Sequence, residues 1–141
     1  MFGKGNARVL IAEDSEIQRT TLAVLVRLWG FDTETASDGL EALQKIPLFR
    51  PNVVISDLQM PRMGGIELLE ALRSKVPNVA CIILTGYGSS ETAETVTALG
   101  AIDYLEKPVD PERLRVDLLG LAPGEGASPP GLLLHNPVQA A

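Results

Sequence analysis

Four short apolar stretches in this chain are each followed by side chains that can do chemistry. Glu13 and Asp14 follow the first stretch, Asp57 ends the second, Thr85 follows the third and Lys107 lies just beyond the fourth. Each has an ordinary explanation on its own, because acids favour helix N-termini, Asp and Thr are common in turns, and Lys is usually solvated. Finding all of them at the same kind of position favours a shared site.

The three acids of this set predict a divalent cation. Carboxylates gathered within ~4 Å would repel one another by several kcal/mol per pair at an effective dielectric near 20. Without a cation, some of their pKa values would have to rise. No Cys or His stands beside them in the sequence, so an all-oxygen site for Mg²⁺ or Mn²⁺ is expected.

The remaining groups suit phosphoryl transfer. Asp57 can accept a phosphoryl group covalently, and Lys107 supplies a point charge for a phosphoryl oxygen. Thr85 offers a hydroxyl donor. Phosphoryl transfer needs little beyond positioning and charge neutralisation, and this set of side chains provides both.

Alternating strand and helix patterns must bring these residues together. Five strand-like runs alternate with five helix-like runs, which is typical of an α/β fold with a doubly wound parallel sheet and helices on both faces. The carboxyl ends of the strands then lie at one edge, where ligands bind. The predicted strands are Arg8–Ala12, Phe31–Ala36 (nearer an edge), Val53–Ser56, Val79–Leu84 and Ile102–Leu105.

Caps, glycines and prolines delimit the predicted helices. Ser15 with Gln18 gives a capping-box pattern, and the first helix runs towards Gly30. The second helix begins after Asp38 and ends at Pro47, because proline breaks a helix interior. The third, fourth and fifth helices are predicted over residues 65–72, 91–99 and 111–119. The fourth has few large apolar residues, so we expect it to be loosely packed.

Composition bounds the class of protein. The chain has 141 residues, is 45% hydrophobic but only 4% aromatic, and carries a net charge of −6. These values predict an aliphatic core and argue against nucleic acid binding. The single cysteine, Cys81, is expected to be buried and unpaired. No apolar run approaches the ~18 residues that span a membrane, so we expect a soluble cytoplasmic protein without membrane contact.

The folded domain is expected to cover residues 7–119. Residues 1–6 are short, polar and Gly-rich, which is typical of a flexible N-terminus. Residues 120–141 are rich in Pro and Gly and predict a disordered tail or a linker. His135, the only histidine, lies in this tail and is not expected to be catalytic.

These motifs together resemble the receiver domain of two-component response regulators. The resemblance implies a flavodoxin-like sheet with the strand order 2-1-3-4-5 and a cis peptide bond before Pro108, since X–Pro bonds favour trans only slightly. The residues that carry it are Glu13-Asp14, Asp57, Met60-Pro61 with Gly64-Gly65, Thr85-Gly86, Tyr104 and Lys107-Pro108.

The resemblance implies a role for each acid. Asp57 would be the phosphoacceptor. Asp14, Asp57 and the backbone carbonyl of Gln59 would bind Mg²⁺, and Glu13 would act through water in the outer shell of the metal. The acid pair is Glu-Asp rather than the commoner Asp-Asp, which should preserve the metal site.

The resemblance also implies a switch. Lys107 would contact the phosphoryl group and Thr85 would hydrogen-bond to it. Tyr104 would then change rotamer with Thr85 and alter the face formed by the fourth helix, fifth strand and fifth helix.

The resemblance implies partners rather than a separate substrate. The domain would catalyse only its own phosphorylation and dephosphorylation, so it is not expected to be an enzyme in the usual sense. A sensor histidine kinase or a histidine phosphotransfer protein would donate the phosphoryl group, and a downstream output domain or protein would respond. A phosphorylation-dependent homodimer is a further option, and neither the kinase nor the output follows from the sequence.

Three competing interpretations are open. An aspartyl-phosphate phosphatase commonly has a second Asp two residues after its nucleophile, but Gln59 stands there. A nucleotide-binding module is disfavoured because Gly86-Tyr87-Gly88 is only a fragment of the dinucleotide fingerprint. A phosphorylation-independent scaffold with this fold is disfavoured by the complete set of acids, Thr85 and Lys107.

Overall fold

The computed structural model describes residues 6–121. The segments predicted to be flexible, 1–6 and 120–141, lie outside this range except for Asn6, Gly120 and Leu121. Five strands alternate with five helices in the described part of the chain. In order they are β1 (Arg8–Ala12), α1 (Glu16–Leu28), β2 (Asp32–Ala36), α2 (Gly39–Phe49), β3 (Val53–Asp57), α3 (Gly65–Lys75), β4 (Ala80–Thr85), α4 (Ser90–Ala98), β5 (Asp103–Glu106) and α5 (Pro111–Leu121).

The strands form one parallel sheet in the predicted order β2-β1-β3-β4-β5. The register pairs Ala12 with Ser56, and Asp57 with Leu84. The last residues of β1, β3 and β4 therefore lie side by side, and the loops that follow them share one edge of the sheet. The predicted site residues lie at this edge of the sheet.

Side chains from the sheet alternate between two aliphatic clusters, one on each face. Val9 and Ile11 of β1 belong to the cluster under α1 and α5, whereas Leu10 and Ala12 belong to the cluster under α2, α3 and α4. Every residue of β3 and β4 is buried, as expected for central parallel strands covered by helices on both faces. Cys81 lies in the second cluster as a free, buried thiol, as predicted.

The predicted end of α2 at Pro47 is wrong, because the helix continues to Phe49. Pro47 is exposed, so a carbonyl left without its usual amide donor on that side can bind water instead. The helix stops at Arg50, whose φ of 55° is left-handed. Proline therefore falls in the last turn of the helix rather than after it.

The fourth helix is the most thinly packed of the five, as its composition indicates. Val96 is its only buried residue, whereas α3 buries Gly65, Leu68, Leu69 and Leu72. Across residues 6–121, no helix is both long and apolar enough to cross a membrane.

Candidate functional site

Three acids converge at the carboxyl edge of the sheet, as predicted. Glu13 and Asp14 follow β1 and Asp57 ends β3, and each offers a carboxylate oxygen within 4.8 Å of the others. Glu13 and Asp57 are buried, with 2% and 8% of their surfaces exposed, whereas Asp14 faces solvent. An open side and two sheltered carboxylates are what a cation that retains water needs.

Lys107 reaches this acid cluster from the loop after β5. Its Nζ lies 2.8 Å from Glu13 Oε1 and 3.3 Å from Asp57 Oδ2. The backbone amide of Lys107 donates to the carbonyl of Thr85, which fixes the start of the loop, and the Lys107-Pro108 bond is cis, as predicted. The ammonium group therefore already faces the carboxylate that the sequence singles out.

Burial and charge shift two pKa values in this cluster. The pKa of Asp57 is raised, first by burial and then by the neighbouring Glu13 carboxylate, although Lys107 opposes the shift. Burial alone would lower the pKa of Lys107, but its hydrogen bond to Glu13 and the charge of Asp57 raise it on balance. A positive charge on Lys107 thus offsets part of the repulsion between two buried acids.

Gln18 is a site residue that the sequence reasoning missed. The predicted capping box is only half formed, since Ser15 Oγ accepts from the Gln18 amide, but Glu13 Oε2 takes the Ser15 amide. This frees the Gln18 side chain, whose Oε1 accepts from Lys107 Nζ at 2.6 Å. The sequence does contain a signal for this arrangement, because Glu13, two residues before the Ser15 cap, is a competing acceptor for the Ser15 amide.

Thr85 and Tyr104 lie on one side of the acid cluster. Thr85 is buried at the end of β4, and its Oγ1 accepts from the Tyr87 amide at 3.0 Å. Tyr104 is half-buried against the second cluster of the core, and its hydroxyl accepts from the Ser89 amide at 3.4 Å. Each side chain thus accepts a hydrogen bond from the loop that leads into α4, so a movement of either one would affect that loop.

The loop between β3 and α3 carries Gln59, the predicted carbonyl ligand. Gln59 is exposed two residues beyond Asp57. The base of the loop is closed by the Gly65 amide, which donates to the carbonyl of Leu58 at 2.8 Å. A Cβ on Gly65 would lie 2.5 Å from the carbonyl oxygen of Asp57, so only glycine permits this close approach.

The donor set fits a hard divalent cation. The carboxylates of Glu13, Asp14 and Asp57 offer oxygen ligands alone, and no His or Cys belongs to the cluster within residues 6–121. Mg²⁺ prefers one or two carboxylates and retains several waters, which matches a cluster that is open only at Asp14.

An apolar groove of about 700 Å³ lies beside the acid cluster, between α1 and the start of α5. Ile17 and Tyr87 on its rim expose 79% and 85% of their surfaces. Leu22, Leu25 and Leu114 lie along the groove, and Glu13 and Lys107 form its polar end. Exposed apolar side chains beside charged groups mark a surface suited to a partner.

Comparison with known proteins agrees with this geometry. A model of the response regulator receiver domain family matches residues 9–118. The transcriptional regulatory protein ZraR of Klebsiella oxytoca is 36% identical over 110 residues, which cover 78% of this chain and 25% of ZraR. The acid tolerance regulatory protein ActR of Rhizobium meliloti is 33% identical over 140 residues, which cover 99% of this chain and 69% of ActR.

A solved structure is similar as well. The receiver domain of the Francisella response regulator 1452 superposes with a TM-score of 0.77 and is 34% identical, over 82% of this chain and 96% of that one. The chain spans only about a quarter of the length of ZraR. On the basis of the family match, the order of the strands and the shared fold, the chain belongs to the response regulator receiver domain family of two-component systems.

Proposed function

We propose that this receiver domain accepts a phosphoryl group on Asp57 from a phosphohistidine of a sensor histidine kinase or a histidine phosphotransfer protein. The observation that carries the proposal is the position of Asp57. Its carboxylate is buried at the end of β3, 3.3 Å from the Lys107 ammonium and within the acid cluster. We also propose that transfer requires Mg²⁺ or Mn²⁺ and takes place in the cytoplasm.

The transfer step is a displacement at phosphorus. An oxygen of the Asp57 carboxylate forms a bond to phosphorus, the bond between phosphorus and the imidazole nitrogen breaks, and its electron pair stays on that nitrogen. With the other ring nitrogen of the phosphohistidine protonated, the products are an acyl phosphate on Asp57 and a neutral imidazole that keeps that proton. When bound, the divalent cation neutralises charge on the phosphoryl oxygens.

Apart from Asp57, the side chains of the site position the phosphoryl group and neutralise its charge without taking part covalently. Lys107 offers its ammonium group to a phosphoryl oxygen. To do so it can break its hydrogen bond to the neutral Gln18 side chain, which costs less than breaking its contact with a buried carboxylate. Asp14, Asp57 and the Gln59 carbonyl would bind the cation, with Glu13 acting through water. Glu13 also holds Lys107 at 2.8 Å, so it has a second role in keeping the ammonium in place.

The groove between α1 and α5 is the surface on which we place the phosphodonor. It is apolar along its length and ends at Glu13 and Lys107, so a helix lying in it would bring its own histidine close to Asp57. Helices commonly dock in such grooves through apolar side chains.

Phosphorylation would then act on an output. ZraR and ActR are both named as regulatory proteins, so we propose that an output domain or protein responds to the face formed by α4, β5 and α5. Thr85 and Tyr104 would carry the change to that face. The domain turns over no substrate other than its own phosphoryl group.

Phosphorylation by acetyl phosphate with Mg²⁺ tests the proposal. Intact-mass spectrometry should show one added phosphoryl group, stable in acid and lost in alkali, as expected for an acyl phosphate. Asp57→Asn should abolish it, whereas Asp32→Asn, at the opposite end of the sheet, should leave it unchanged. A phosphoryl group retained in Asp57→Asn would mean that the acceptor is another residue.

A further inference from the structure

An ion pair ties the apex of the β3–α3 loop to the start of α2. The Nε of Arg62 donates to Asp38 Oδ2 at 2.7 Å. Asp38 is buried, with 4% of its surface exposed, and the Arg62 guanidinium, followed by the Glu41 amide, lowers the pKa of that carboxyl. The pair is therefore charged at neutral pH, and its carboxylate is shielded from water.

The position of Asp38 is fixed independently of Arg62. Its other oxygen, Oδ1, accepts from the Glu41 amide at 2.8 Å and so caps α2. A helix cap holds a carboxylate in one orientation. The anion is thus held in place by the helix, and its partner in the pair is an arginine of the loop.

A second contact joins the same two segments. The Gly39 amide donates to the carbonyl of Met63 at 2.9 Å. A Cβ on Gly39 would lie 2.7 Å from that carbonyl oxygen, so the approach is as close as glycine allows. The loop apex is therefore attached to α2 at two neighbouring points.

The backbone of Arg62 adds an independent observation. Its φ is 66°, in the left-handed region that side chains other than Gly, Asn and Asp seldom adopt. Glycines follow at positions 64 and 65, yet the left-handed position itself holds an arginine. A strained conformation that persists is one that its surroundings stabilise, and the ion pair with Asp38 is one contact that does so here.

These contacts bracket Gln59. The Gly65–Leu58 hydrogen bond closes the base of the loop beside Asp57, and α2 holds its apex. Gln59 lies between these two anchors, so the direction of its carbonyl depends on both. Without the Arg62–Asp38 ion pair, the apex would keep only the Gly39–Met63 hydrogen bond of these two attachments to α2.

We propose that Arg62 is a positioning residue that, through Asp38, holds the β3–α3 loop so that the Gln59 carbonyl can serve the divalent-cation site. The inference rests on the proposed function, because it assigns Arg62 a role in the cation binding proposed there. Residues that orient metal ligands typically change affinity by 10- to 100-fold when replaced, and a backbone carbonyl held from three residues away should lie at or below the low end of that range.

The test is the affinity for Mg²⁺, measured on the full chain by NMR from the amide shifts of residues 13–15 and 57–59. Arg62→Asn removes the ion pair and keeps a residue that tolerates the left-handed conformation. We expect it to raise the dissociation constant by about five- to tenfold. Asp38→Asn retains the helix cap and should give the same effect, and the double variant should be no weaker than either single one. Arg62→Lys, which can still pair with Asp38, should recover part of the affinity.

Arg50→Asn is the matched control. Arg50 is also left-handed, with φ of 55°, at the other end of α2, and no ion pair involves it among residues 6–121. Its replacement should leave Mg²⁺ affinity unchanged, and urea unfolding should show that every variant tested is folded. Unchanged affinity in Arg62→Asn and Asp38→Asn, or an equal loss in Arg50→Asn, would overturn the positioning role alone. Absence of any Mg²⁺-dependent shift in the wild type would overturn the proposed function and this inference with it.

Discussion

A pair of carboxyl groups between β5 and α5 is the least expected feature at the scale of single residues. Asp117 Oδ2 is buried and, within the described part of the chain, has no hydrogen-bond partner. Asp103 faces it and is bonded by the Arg113 guanidinium. Burial and then the neighbouring Asp103 carboxylate raise the pKa of Asp117 to about 8. Burial alone would raise the pKa of Asp103, but the neighbouring Asp117 carboxyl and the Arg113 guanidinium lower it on balance.

These shifts predict how stability depends on pH. Asp117 holds a proton in the folded state up to about pH 8, whereas the unfolded chain loses it near pH 4. The folded state therefore binds more protons across this window, so the free energy of unfolding should fall as the pH rises from about 4 to 8. Asp117→Asn supplies an amide donor to Asp103 at every pH and should flatten this fall.

Urea unfolding at pH 6 and pH 8 measures the effect of Asp117→Asn. We expect the variant to be more stable than the wild type by about 1–2 kcal/mol at pH 8, and the gain should shrink towards acid pH. Asp110→Asn, on an exposed acid in the loop before α5, is the control. A gain that is the same at both pH values would contradict a shared proton between Asp103 and Asp117.

Individual elements were predictable where periodicity and caps agree. The alternation of apolar runs identified all ten elements, and β1 has the predicted bounds. The end of α2 was wrong, because whether Pro47 interrupts a helix depends on which side faces water. On α1, Ile17 and Leu28 expose 79% and 77% of their surfaces, while Ala23 and Val26 are buried. The helix has apolar residues on more than one side, and sequence alone does not say which side the sheet covers.

The site shows the same division between what topology fixes and what side-chain contacts decide. The convergence of Glu13, Asp14, Asp57 and Lys107 follows from strand order, since all four lie at carboxyl ends of parallel strands. The contact between Gln18 and Lys107 depends instead on which acceptor wins the Ser15 amide. Residue spacing shows that Glu13 is a competing acceptor, but it does not decide which acceptor the Ser15 amide takes.

Thr85 and α4 carry a prediction at the scale of elements. Only Val96 of α4 is buried, so this helix has few contacts to lose if the loop before it moves. Thr85 Oγ1 now accepts from the Tyr87 amide, and a phosphoryl group on Asp57 would draw its hydroxyl away. That movement would release the loop that holds Tyr104 through Ser89.

Thr85→Ala should therefore separate phosphorylation from its consequence. We expect the variant to bind beryllofluoride, a phosphoryl mimic, at Asp57 but to lose most of the amide shift changes over residues 86–105. Thr97→Ala, on the exposed side of α4, should keep them. Shift changes of equal size in Thr85→Ala and the wild type would show that Thr85 does not couple the site to α4.

At the scale of the whole molecule, the charged site lowers the stability of the fold that carries it. Asp57 and Glu13 are like charges buried together, and both burial and Glu13 raise the pKa of Asp57, which means that its ionised form destabilises the folded state. The aliphatic clusters on both faces of the sheet hold this arrangement in place. Functional sites commonly cost stability in this way.

Asp57→Asn should accordingly make the domain more stable in the absence of metal. Removing the charge relieves repulsion with Glu13, although Lys107 loses one partner, so we expect a gain of about 1 kcal/mol in the free energy of unfolding at pH 7. Mg²⁺ should reverse the order, because a ligand at ten times its dissociation constant stabilises a folded protein by about 1.4 kcal/mol. The wild type should gain this stabilisation and the variant should gain little of it.

Urea unfolding with EDTA and with Mg²⁺, with Asp32→Asn as control, measures both effects. An equal Mg²⁺ gain in Asp57→Asn would place the cation elsewhere, and a less stable variant in EDTA would mean that the bond to Lys107 outweighs the repulsion from Glu13.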